Sequence, residues 1–127
     1  MKAFTDLEQS KKLAEILPLE SADMRIGNYV GKSGTVDGTN IHYYPKGESF
    51  GAPEIIYAWS LAALLDVIPK HIKDYNVLRI DISENEFAIW YDEVGLGVNN
   101  DLPDITADNP VDACYEMILK LHEQKLL

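Results

Sequence analysis

The side chains able to do chemistry in this sequence are few and scattered. Three histidines, His42, His71 and His122, are separated by long intervals, and no HxxxH or HxH pair occurs. One cysteine, Cys114, stands alone, so neither an intrachain disulfide nor a thiolate metal cluster can form within one chain. Cys114 falls on an apolar stripe and reads as a small buried hydrophobe rather than a nucleophile, which would need a neighbouring base and partial exposure. Gly31-Lys32-Ser33 invites comparison with a phosphate-binding loop. The preceding Gly27 is one residue too close, and neither a buried strand before the loop nor a helix after it is legible. Asn99, Asn100, Asp101, Asp104 and Asp108 make an oxygen-rich stretch, but the calcium-loop pattern with its glycine and terminal glutamate is missing. Carboxylate pairs such as Glu84/Glu86 and Asp92/Glu93 are unsurprising in a chain with 21 acids. No catalytic residue, metal ligand or cofactor-binding residue emerges, and the balance is against an enzyme.

Charge and aromatic residues carry more. The net charge is −10. Residues 1–64 hold 8 acids against 6 bases, and residues 65–127 hold 13 against 5. From Ile80 to Leu119 there are ten acids and no lysine or arginine. That field repels nucleic-acid phosphates and anionic lipid, so neither is expected as a direct partner. No apolar run is long enough for a membrane helix and no export signal is apparent, which points to the cytoplasm. A protein partner is the expected ligand. The residues expected to meet it are Trp90, Tyr43 and Tyr44, as aromatic anchors, and the acids Asp101, Asp104 and Asp108.

The elements that must position these residues are better defined. At 127 residues the chain reads as a single α+β domain, residues 1–127: a small antiparallel sheet of two hairpins packed against about three helices. Thr5 or Asp6 caps a first helix, with Thr5 and Glu8 at capping-box spacing, and Leu7, Leu13, Ala14, Ile16 and Leu17 form its apolar side. Pro18 ends it near Ile16. Met24–Val30 and Asn40–Tyr44 predict a loose hairpin, followed by a loop through residues 45–53. Ile55–Trp59 reads as extended. In AWSLAALLDVIP, residues 58–69, Ser60 caps a core helix whose stripe is Leu61, Leu64, Leu65 and Ile68. Asn76–Ser83 and Glu86–Asp92 alternate around a Glu84-Asn85 turn, predicting a hairpin with one buried face. Trp90 falls on the other face, where a second copy of the chain would cover it in a homodimer. Residues 93–108 read as one long loop. Asn109, Pro110 and Asp112 open a last helix to about Glu123, with Val111, Cys114, Met117, Ile118 and Leu121 as its stripe.

Three of these segments, LAEILPLESADM (13–24), AWSLAALLDVIP (58–69) and NPVDACYEMILKLHE (109–123), resemble a family of small uncharacterised proteins of gut anaerobic bacteria and their phages or mobile elements. The resemblance implies an intracellular accessory role and transfers no site. Three functions follow as expectations. The first is a non-enzymatic accessory or protein-binding protein, with a phage or mobile-element association implied by that resemblance. The second is an acidic nucleic-acid mimic that inhibits a basic groove. The third is a small metal-dependent hydrolase built on His42 and acids of the 93–108 segment.

Overall fold

The computed structural model describes residues 2–30, 36–45, 55–73, 75–94, 96–98 and 101–127. It is an α+β fold. The chain forms two compact units, Phe4–Ala63, and Met1–Ala3 together with Leu64–Leu127. The hairpin-containing sheet expected from the sequence is in fact two sheets, because each hairpin recruits further strands of its own.

In the first unit, α1 (Leu7–Ile16) precedes β1 (Met24–Val30), β2 (Val36–Pro45) and β3 (Ile55–Ala58). The strand order is β2-β1-β3, all antiparallel. Ile26, Ile56 and Ala58 form its core, with Leu7 and Met24 packed against them. The helix cap differs from the Thr5–Glu8 box. Asp6 is the N-cap, its carboxylate accepting from the Gln9 amide at 2.8 Å, while the Gln9 side chain accepts from the Asp6 amide at 3.1 Å. Thr5 is needed elsewhere. It is buried, its amide donates to the Trp59 carbonyl at 3.0 Å, and its hydroxyl accepts from the Trp59 amide at 3.1 Å. The same hydroxyl shares a 2.7 Å bond with Ser10 Oγ. Trp59, fully buried, donates from Nε1 to Ser21 Oγ at 2.9 Å. Ser10, Leu13 and Leu17 are the buried side of α1, and Ala14 lies exposed. The serine was invisible to an apolar pattern because it is polar and satisfied.

The helix α2 (Leu61–Val67) begins at Ser60, whose hydroxyl accepts from the Ala63 amide at 3.3 Å. Asp23 holds Ser60 through its amide, at 2.9 Å, and its hydroxyl. Of the expected stripe, Leu64 and Ile68 are buried and Leu61 and Leu65 half-buried, while Ala62 and Asp66 are exposed, so one side of the apolar stretch 58–69 is core. Lys70 Nζ donates to the Leu65 and Ile68 carbonyls, satisfying the end of the helix with a positive charge where the dipole favours one.

The second unit holds a sheet of five strands: β4 (His71–Ile72), β5 (Asn76–Ile82), β6 (Phe87–Glu93), β7 (Gly97–Val98) and β8 (Asp104–Ala107). The strand order is β4-β5-β6, and β6 then pairs β7 near its end and β8 near its start. The segment 93–108 is therefore not one loop: β7 and β8 lie within it, drawn in by the free side of β6. The last helix, α3 (Pro110–Glu123), packs on β6 and β8. Its cap is as expected, with Asn109 Oδ1 accepting from the Asp112 amide at 2.9 Å and Lys2 Nζ bound to Asp112 at 2.8 Å. Val111, Cys114, Met117, Ile118 and Leu121 are all fully buried, each of the larger ones contributing about 1.5–3 kcal/mol gross. No described helix is long and apolar enough to cross a membrane.

The Thr5 hydroxyl is the joint of the first unit. Thr5→Val keeps the shape but leaves the Trp59 amide and Ser10 hydroxyl short of a partner, at a cost of about 1–3 kcal/mol. Urea unfolding read by Trp fluorescence should show this loss; a Thr5→Val midpoint equal to wild type would mean that the bonds are replaced by water.

Candidate binding site

The alternation in the β5–β6 hairpin places two faces. Register pairs Ile82 with Phe87, Ile80 with Ile89 and Leu78 with Tyr91, and paired residues share a face. On β6 that face is buried from Phe87 through Ile89 to Tyr91. On β5 it is not. Ile80 is 40% exposed and Ile82 72% exposed.

The backbone of this half of β5 is open as well. Ser83 N donates to Glu86 O at 2.9 Å, closing the two-residue turn. Hydrogen-bonded pairs then alternate along the hairpin, so Asp81, Arg79 and Val77 direct their backbone groups at β6, and Ile82, Ile80 and Leu78 direct theirs outward. The Leu78 amide indeed donates outward, to Lys70 O at 2.9 Å. Beyond it β4 has ended. The outward backbone groups of Ile80 and Ile82 meet no strand among the described residues. Apolar side chains on a free strand edge are a pairing template.

The other face of the sheet carries Trp90, which is half-buried. Its register partners are Arg79 on β5 and Asp104 on β8, so the row reads Arg79, Trp90, Asp104. Arg79 Nε lies 3.5 Å from Asp92 Oδ2. Trp90 and Asp104 are thus the two expected contact residues that the fold brings together. Asp101 and Asp108 are exposed at other positions, Asp108 just before the cap of α3. Tyr43 and Tyr44 belong to the other unit, in β2, in register with Ile26 and Arg25. Arg25 Nε is buried there without a hydrogen-bond partner among the described residues.

A cleft of about 340 Å³ opens at the opposite end of the hairpin. Its walls come from the β4–β5 connection with Lys73 and Tyr75, from Glu93 at the end of β6, from Asp101 and Leu102, and from Leu126 beyond α3. The end of α3 explains why Leu126 is there. Lys125 N donates to His122 O at 3.0 Å and Leu126 N to Leu121 O at 2.9 Å, the two bonds of a Schellman turn. That turn folds Leu126 back, and it requires a left-handed residue at position 125, where Lys125 has φ 59°. Sequence reasoning missed the cleft because its residues come from four segments with no shared motif. Asp101 stands out in the sequence as an acid of the 93–108 segment, but nothing local ties it to Lys73, Glu93 or Leu126.

Other candidates resolve simply. His71 and His122 are exposed. No group of three His, Cys, Asp or Glu that could hold a metal exists among the described residues. Gly31-Lys32-Ser33, Asn99, Asn100 and most of the loop at 45–53 lie outside the described residues. Tyr91 donates its hydroxyl to Pro69 O at 2.6 Å, and burial pushes its pKa upward. Cys114 is fully buried, and burial pushes its thiol up to about 12, with the positive charge of Lys70 opposing.

A thiol held neutral in the folded chain stabilises it below the ordinary value of 9.0, and this contribution is lost as pH rises toward about 12. Iodoacetamide should therefore leave native Cys114 unmodified at neutral pH and label it on unfolding. Cys114→Ala should flatten the fall in melting temperature above that ordinary value. Native labelling at the unfolded rate would show that the α3 core opens freely.

No protein-family model, no curated protein and no solved structure matches this chain.

Proposed function

We propose that the protein is a non-enzymatic binding protein that takes up an extended segment of a protein partner along the open edge of β5. The accessory role in phages or mobile elements implied by the sequence resemblance is compatible with such a part. The observation that carries the reading is the pair Ile80 and Ile82, exposed in side chain and open in backbone on the same strand. A partner strand gains main-chain hydrogen bonds to both residues and buries their side chains, the mode called β-augmentation.

The chemistry of the partner follows from the surroundings. Asp81, Glu84 and Glu86 are exposed beside the two isoleucines. The complementary segment alternates apolar residues with lysine or arginine. A second copy of β5 is a poorer fit. His71 pairs Val77 and Ile72 pairs Asn76, which sets Lys70 opposite Leu78. Pairing two copies about Ile80 would put the incoming Ile82 in the place of Lys70. Pairing about Asp81 would oppose two like charges, which is destabilising.

Two substitutions separate this edge from the rest of the surface. Ile82→Lys should abolish capture of the partner while leaving the unfolding free energy within about 0.5 kcal/mol of wild type, since the residue is exposed. In the complex, hydrogen exchange at the Ile80 and Ile82 amides should slow. A partner retained by Ile82→Lys but lost by Trp90→Ala would move the contact to the Arg79, Trp90, Asp104 row; unchanged exchange at both amides in a saturated complex would end the β5-edge reading.

A further inference from the structure

We infer that the cleft at the end of the β5–β6 hairpin is a second, independent site, one that binds a small zwitterion with an apolar body, the chemical class of the α-amino acids. Glu93 and Lys73 both line it. Glu93 is half-buried, and its carboxylate has neither a hydrogen bond nor an ion pair among the described residues. The Lys73 ammonium is likewise unpaired among the described residues, and the two do not lie within ion-pair distance of each other. Opposite charges that share one cleft without meeting leave a gap of the kind a zwitterion spans, its ammonium to Glu93 and its carboxylate to Lys73. Leu102, Leu126 and Tyr75, which also line the cleft, offer apolar surface for a side chain. At about 340 Å³ the cleft lies at the small end of ligand sites, which suits a single amino acid better than a cofactor.

Backbone geometry points to the same place. Among the described residues the non-glycine positions with positive φ are Lys73, at 54°, and Lys125, at 59°. One lines the cleft and the other precedes Leu126, which lines it. Such conformations are unfavourable for a residue with a Cβ. At Lys73 the left-handed backbone lies in the cleft wall itself; at Lys125 it belongs to the turn that brings Leu126 to the wall.

The test is a titration of the isotope-labelled full chain, followed by NMR, with each of the twenty standard L-amino acids up to millimolar concentration. The best binder is then compared with its decarboxylated amine and its deaminated acid. Saturable shifts at Lys73, Tyr75, Glu93 and Leu126 are expected, with the zwitterion bound about tenfold or more tightly than either analogue. Glu93→Gln should reduce its affinity to that of the acid analogue, and Lys73→Gln to that of the amine. Ile82→Lys should change nothing, which keeps this site separate from the β5 edge. An amine that binds as tightly as the amino acid would overturn the proposal in favour of plain cation attraction to an acidic surface. Absence of saturable binding by all twenty would overturn it outright.

Discussion

The packing of α3 on β6 and β8 governs what this protein has to offer a ligand. A helix with its side chains is about 10 Å across, and strands lie about 4.8 Å apart. One helix therefore covers about two strands. The two covered here are β6, with Phe87, Ile89 and Tyr91 fully or nearly fully buried, and β8 beside it. The strand left over on the other side is β5, and its alternation continues the core face into solvent at Ile80 and Ile82. Exposure of those residues follows from a width mismatch between one helix and a wider sheet. It does not require any special feature of β5 itself.

The near half of β5 shows the contrast. There β4 supplies a partner strand, Lys70 O takes the Leu78 amide, and Asn76 is buried with its Nδ2 donating to Ile72 O at 3.1 Å. Pro69 O receives the Tyr91 hydroxyl in the same region. The connection from α2 therefore seals one half of the strand and ends before the other. A partner segment laid along Ile80 and Ile82 would extend the lane that β4 occupies, in the direction where no strand continues it among the described residues.

Much of this was legible in the sequence, and the boundary between legible and illegible is physical. Local rules located α1, α2, α3 and both hairpins, because caps, proline stops and alternation act within a few residues. The overlapping boxes Thr5–Glu8 and Asp6–Gln9 look equal on that scale. The choice between them is made by Trp59, fifty-four positions away in sequence, whose amide claims the Thr5 hydroxyl. Alternation likewise gave the faces of β5 correctly but said nothing of which face would be covered, since coverage depends on where α3 lands. The strands β7 and β8 were missed for the same reason: each is short, polar in part, and stabilised by a place beside β6 rather than by its own pattern.

The cleft is the extreme case. Its contributors share no motif in sequence: a lysine in a tight connection, a glutamate at a strand end, an aspartate–leucine pair, a leucine next to the last residue. They converge because β5 and β6 end together at the Asn76–Glu93 pair and because α3 terminates in a turn that reverses the chain. That turn ordinarily favours glycine at the left-handed position, and here it holds Lys125. The ordinary explanation of a capped helix therefore accounts for the bonds but not for the residue chosen. A glycine would relieve the backbone and still deliver Leu126 to the same wall. A lysine keeps the backbone costlier but sets a positive charge at the C-terminal end of α3, where the helix dipole favours one.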